Sequence, residues 1–242
     1  MFNRKKYKEF ARIQLKKRWG IPVVMTLITF AITFLLEIPY TQNIIAAASG
    51  QSASSSSSLR TVYRQLIRSY QPTGLERICG WISFFTSAII AVAGYHVYLR
   101  MSRGPDPVHF GDFMEGFNNW WRAILASLWM SLWIFLWTLL FIIPGIIKTI
   151  AYSQTYFIIT EFPEISIIKA LDISKRITKG YKFDLFVMGL SFIGWGILSC
   201  ITCGIGFIWL TPYINMSMTN AYHGLIKNAL EAQIITVEDL RG

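Results

Sequence analysis

Residues 123–160 read AILASLWMSLWIFLWTLLFIIPGIIKTIAYSQTYFIIT, with one charged side chain, Lys148. An amphipathic soluble helix breaks such a run with polar residues every three or four positions, and this stretch does not. It is long enough to cross a bilayer and return, because about 20 apolar residues span the hydrocarbon. Outward from it the same composition recurs. Windows 21–38, 78–99, 123–143, 146–160, 185–202 and 205–224 together hold two charges, Glu37 and Lys148, although the 242-residue chain carries 36. A charge at mid-membrane costs several kcal/mol, so a bilayer demands this segregation and a soluble core does not. The fold class is therefore all-α: a polytopic membrane helix bundle of about six transmembrane helices, with amphipathic helices at the cytoplasmic face.

Five windows reach spanning length unaided. Ile146–Thr160 is shorter and contains Lys148, Ser153 and Gln154. Charge bookkeeping settles its role. With the amino terminus inside and all six windows crossing, 18 of the 23 basic residues fall on the inner side. The outer side then keeps Arg60, Arg64, Arg68, Arg77 and Lys148. Omitting the fourth window would move Lys169, Lys175, Arg176, Lys179 and Lys182 outside, against the positive-inside rule. The expected domains are a basic cytoplasmic helix over 1–20, a six-span domain over 21–226 and a cytoplasmic tail over 227–242. Pro144-Gly145 and Cys203-Gly204 are the expected outer turns. Gly189, Gly194 and Gly196 are expected to permit close helix approach in span five.

Two segments read as helices on the inner surface. Within 164–180, Ile167, Ala170, Leu171, Ser174 and Ile177 share one face, opposite Lys169, Asp172, Arg176 and Lys179. Lys169, Lys175, Arg176 and Lys179 are accordingly candidate contacts for anionic lipid headgroups. The first segment repeats the design, with Lys5, Lys8, Arg12 and Lys16 opposing Tyr7, Phe10 and Ala11. A solvated charged face acting only as a topology signal is the other reading of both. The outer loop 39–77 contains SGQSASSSSS at 49–58, a flexible linker by composition, and then a basic stripe of Arg60, Arg64 and Arg68.

No phosphate-cradling glycine loop, HExxH or GxSxG motif is present. His96, His109 and His223 lack metal-ligand spacing, so no metal or cofactor is expected and the chain reads as non-enzymatic. Cys79, Cys200 and Cys203 all fall at outer span ends, either as thiols able to pair or as small packing residues. The +10 net charge does not indicate nucleic acid, because the positive-inside distribution accounts for most of it. Trp129, Trp133 and Trp137 form an aromatic stripe on span three that does not imply a cofactor box.

Polar side chains recur at helical spacing inside three spans. They are Thr26, Thr29, Thr33 and Glu37 on span one; Lys148, Tyr152 and Thr155 on span four; and Thr211, Asn215 and Thr219 on span six. Such stripes form either a polar seam carrying a substrate or ion, or hydrogen-bonding glue between helices.

ARIQLKKRWG (11–20), IIPGIIKTIAYSQTYFIITEFPEISIIKALDISKRITKGYKFDLF (142–186), LSFIGWGIL (190–198) and GIGFIWLTPYINMSMTNAYHGL (204–225) resemble the bacterial integral membrane proteins grouped as domain of unknown function 975. The same pattern is similar to the membrane domain of some glycerophosphodiester phosphodiesterases, whose catalytic barrel has no counterpart here. The resemblance implies a six-helix bundle in the bacterial plasma membrane and brings no activity or functional residues. The expected role is that of an accessory, scaffold or envelope-homeostasis component, with a membrane-protein partner or a second copy of the chain. A small transporter or lipid-handling protein using the seam is the alternative.

Overall fold

The computed structural model describes residues 2–49 and 73–241, so the serine-rich run and the Arg60, Arg64, Arg68 stripe lie outside the described residues. Every regular element among the described residues is helical, as expected for an all-α membrane bundle. In chain order they are α1 (Arg4–Leu15), α2 (Gly20–Ser49), α3 (Gly74–Arg103), α4 (Phe110–Glu115), a 3-10 turn (Gly116–Asn119), α5 (Trp120–Leu140), α6 (Ile142–Tyr152), α7 (Thr155–Glu161), α8 (Ile167–Ile177), α9 (Lys182–Leu190), α10 (Ile193–Ile201), α11 (Phe207–Glu231) and a second 3-10 turn (Glu238–Leu240). Among the described residues, five stretches are long and apolar enough to cross a membrane: Gly20–Pro39, Gly74–Arg103, Phe110–Leu140, Ile142–Glu161 and Lys182–Ile201. The short fourth window is thus completed at both ends, to 20 residues. The sixth expected span falls largely within α11, whose 25 residues begin in an exposed hairpin, bury Ser217, Thr219 and Asn220 at mid-length and end at the exposed Glu231.

The described residues divide into two compact units. In the smaller, Ile28–Ser87, Thr73 and Glu76 cap α3 reciprocally: the Thr73 amide donates to Glu76 Oε2 at 2.6 Å and the Glu76 amide to Thr73 Oγ1 at 3.3 Å. Trp81, Phe84 and Phe85 form an aromatic cluster one turn further on.

The larger unit comprises Met1–Leu27 and Ala88–Gly242. Its core is built on Phe157, Ile159, Ile173, Ile177, Met188 and Tyr222, all buried. The α5–α6 hairpin turns at the extended residue Phe141 (φ −157°, ψ 144°), not at Pro144-Gly145. Pro144 lies instead in the first turn of α6, where a missing amide donor costs no helical hydrogen bond. The second hairpin does turn at Cys203-Gly204, both left-handed at φ 52° and 86°. The helix leading into it is broken at Ser191-Phe192 into α9 and α10. Cys79, Cys200 and Cys203 are free thiols. Nothing stands within 4 Å of where a Cβ would sit on Gly189, Gly194 or Gly196, so these glycines do not mediate the close approach expected of them.

Both basic amphipathic helices form, and both are packed into the bundle. Asn3 caps α1 by accepting from the Lys6 amide at 3.1 Å, and Ala11 and Leu15 are fully buried as α1 lies along α11. Phe10 stays exposed, so the expected Tyr7–Phe10–Ala11 face is rotated toward Ala11, Gln14 and Leu15. Ser166 caps α8, whose Ala170, Leu171, Ile173, Ser174 and Ile177 are buried against α5, α6, α7 and α11. Ser174 Oγ donates to the Ala151 carbonyl at 2.7 Å. Ala151 lies ten residues before the end of α7, so α8 folds back along the α6–α7 rod.

Candidate functional site

The C-terminal end of α3 gathers most of the polar ties between elements in the larger unit. His96, Arg100 and Arg103 follow one another at i, i+4 and i+7, which places them on one helical face. Arg100 Nη1 lies 2.5 Å from Asp112 Oδ1. Asp112 also accepts from the His109 amide at 2.8 Å, which caps α4, and its carbonyl lies 3.0 Å from His96 Nδ1. Gly116 lets the following 3-10 turn sit directly on α3: a Cβ there would stand 2.6 Å from Ala93 Cα. That contact holds Glu115 and Asn119 over the arginines.

Glu161 ends α7 at the acidic-proline break and is the hub of the site. One carboxylate oxygen accepts from Arg103 and the other from the hydroxyl of Tyr222, which is fully buried on α11. The next residue, His223, places Nε2 2.7 Å from Ser102 Oγ. Gln14 of α1 donates to the Ser102 carbonyl at 3.3 Å and accepts from Asn220 at 2.7 Å. Arg18 donates to the carbonyls of Met101 (3.2 Å), Gly104 (2.9 Å) and Asp106. Its guanidinium thereby satisfies carbonyls that the end of α3 leaves without amide partners, where the helix dipole also favours a cation. These ties border a cavity of about 600 Å³, lined by His96, Arg100, Arg103, Glu115, Asn119 and Glu161. Each arginine is committed to a carboxylate, and the cavity holds no serine or cysteine nucleophile. Among the described residues no three His, Cys, Asp or Glu side chains converge as metal ligands would.

The stripes read from the sequence are placed differently. Thr26 is buried and donates to its own helix at the Pro22 carbonyl, 2.9 Å. Thr219 does likewise to the Asn215 carbonyl, 2.9 Å. Thr155 is fully buried, its hydroxyl without a hydrogen-bond partner. Tyr152 is buried, while Thr211 and Asn215 are half-buried, and Asn215 meets the Tyr98 hydroxyl. Thr29 and Thr33 (half-buried) and Glu37 (exposed) belong to the smaller unit. Lys148 sits 4.7 Å over the Trp137 ring and feels the charges of Lys175 and Lys182. Charge bookkeeping had separated it from those lysines across the membrane. Lys175 on α8 and Lys182 on α9 come within range of its charge because both helices pack against α6.

Of the candidate headgroup contacts, Lys169 donates to the Arg241 carbonyl at 3.1 Å. Arg176 pairs with Asp172 at 2.8 Å and Asp239 at 3.5 Å. Lys175 lies 3.9 Å from Asp172, and Lys179 is exposed. The tail thus folds onto α8, with Ile235 buried. The Thr236 amide holds the Asp239 carboxyl below the usual carboxylate range, aided by Arg176.

Sequence reading missed the α3-end site. The His96–Arg100–Arg103 spacing and the carboxylate of the EFP break were its visible signals. Spanning helices tied at one end by a polar network define a polytopic helical membrane protein. The chain belongs to the family described as protein of unknown function (DUF975), whose model matches residues 1–151 and 139–229. Comparison with curated proteins and with solved structures gives no match.

Proposed function

We propose that the chain is a non-enzymatic component of the bacterial plasma membrane, an accessory or scaffold that works through helix contacts, with both termini cytoplasmic. The observation that carries this reading is the use made of the ionisable groups at the α3 end. Arg103, Glu161 and Tyr222 join α3, α7 and α11; Arg100 and Asp112 join α3 and α4; Gln14 and Asn220 join α1 and α11. A catalytic acid or base must keep a free valence toward substrate, and these are occupied with one another. Thr26 and Thr219 turn onto their own helices, which supports a dry seam. The exposed apolar ridges of the two hairpins, Leu132, Phe135 and Leu139 on α5 and Ile193, Ile197 and Ile201 on α10, suit lipid, a membrane-protein partner or a second copy of the chain.

The alternative is a small transporter or lipid-handling protein. It is favoured by the unpartnered Thr155 hydroxyl and the 600 Å³ cavity. Thiol labelling in intact cells separates the two. Single cysteines at Thr26, Thr155 and Asn215, in a chain whose three native cysteines are serine, stay silent to a small water-soluble reagent if the scaffold reading holds. Labelling at two or more of them overturns it in favour of transport.

A further inference from the structure

One flank of α1 carries an amphiphilic strip that the network above does not use. Lys8 Nζ lies 2.5 Å from Ser191 Oγ, at the α9–α10 break, and 4.1 Å from the Phe192 ring centroid. One turn on, Arg12 stands 5.6 Å from the Tyr213 ring centroid, and the two rings meet edge to face at 5.6 Å. On the amino-terminal side of this pair is a cavity of about 570 Å³ lined by Arg4, Lys5, Lys8 and Ser191. On the other side is a groove of about 390 Å³ whose walls include Arg12, Trp19, Trp195, Leu198 and Trp209. Arg4, Lys8 and Arg12 share a helical face, and Ser191 and Trp195 face them four residues apart, so the two spaces follow one another along the helix.

We propose that this strip binds one anionic phospholipid of the surrounding bilayer, with its phosphate between Lys8 and Arg12 and an acyl chain in the tryptophan-lined groove. Three observations converge on that ligand. Among the described residues, no ion pair neutralises any cation between Arg4 and Lys17, while Arg176 of α8 has two acidic partners. The indole N–H groups of Trp19, Trp195 and Trp209 donate to no acceptor among the described residues, and a phospholipid offers ester and phosphate oxygens at that depth. Phe10 and Ile13, exposed on the same helix, mark it as lying against lipid. Burial, and after it the charges of Arg12 and Arg4, depress the Lys8 ammonium below its ordinary pKa, and a phosphate would offset both the lost hydration and the repulsion.

The test is native mass spectrometry of the full chain, loaded with equal phosphatidylglycerol and phosphatidylethanolamine and then stripped by detergent exchange. The wild type retains one phosphatidylglycerol in preference to phosphatidylethanolamine. Arg12→Gln lowers that retention about fivefold, the scale of one basic residue at an anionic surface. Trp195→Ala lowers retention of both lipids, and Lys175→Gln with Lys179→Gln on α8 changes nothing. Equal retention of the two lipids by the wild type, or unchanged retention in both Arg12→Gln and Trp195→Ala, overturns the site. So does an equal loss in the α8 variant, which would mean diffuse annular binding. Should Arg12→Gln fail to fold, Lys8→Gln takes its place, with the melting temperature confirming the fold of each variant.

Discussion

α1 and α8 look alike in sequence, two basic amphipathic helices flanking apolar spans, and the structure uses them oppositely. α8 is enclosed on its apolar side by four helices, and part of its charged side is answered by Asp172, Asp239 and the Arg241 carbonyl. α1 buries a narrow stripe on α11, exposes Phe10 and Ile13, and leaves its cations without acidic partners among the described residues. A cationic face therefore does not by itself mark a lipid-contacting helix. What separates the pair is whether the chain supplies counter-charges and cover for the apolar face.

The sharpest way to break that contrast is to place a carboxylate on each helix. Ile173→Asp, at a fully buried position on α8, should cost about 4 kcal/mol or more and leave no monodisperse protein on size-exclusion chromatography. Ile13→Asp, at a 60% exposed position on α1, should purify normally. Equal behaviour of the two would end the distinction.

A middle-sized effect is expected from Gly224→Leu. A Cβ at Gly224 would stand 2.1 Å from the Tyr7 hydroxyl and 2.7 Å from its Cζ, so a leucine there displaces the Tyr7 ring from between the helices and loosens α1 on α11 at a cost of about 1–3 kcal/mol. Amide hydrogen exchange should rise across Lys5–Leu15 while Ala170–Ile177 stays protected. Loss of protection in both would show one cooperative unit where two separable helices are expected.

The smallest effect concerns pH. Because the Asp239 carboxyl is depressed in the folded chain, its contribution is present above the ordinary carboxylate pKa and is lost as pH falls through the lowered value. Acidification should thus raise exchange of the tail amides at 234–240 without changing α1. Asp239→Asn should show the same rise at neutral pH.

Much of this fold was legible because a bilayer forbids unpaired charge, a rule that acts locally on each window. The Cys203-Gly204 turn could be read for a similar reason, since glycine supplies left-handed backbone at no steric cost. The α5–α6 turn was displaced because proline is as content in a first helical turn as in a loop. The site was less legible. Arg103 and Glu161 are 58 residues apart and Gln14 and Asn220 are 206 apart, so no local pattern announces their pairing. Threonine stripes carry little of this information for the converse reason: a threonine hydroxyl can reach the carbonyl four residues back, as Thr26 and Thr219 do, and its helical face then says nothing about a neighbour.

The pairing of α1 with α11 also sets a timetable for biogenesis. The first helix finds most of its resting place on α11, and Gln14 waits 206 residues for Asn220. At about 5–20 residues per second on the ribosome, that interval is about 10–40 s. Throughout it a cationic segment with exposed Phe10 and Ile13 lacks its α11 partner, available to any chaperone or insertion factor that reads such helices. A chain truncated before α11 would carry that signal permanently, and surveillance proteases would have a simple means of telling an unfinished molecule from a finished one.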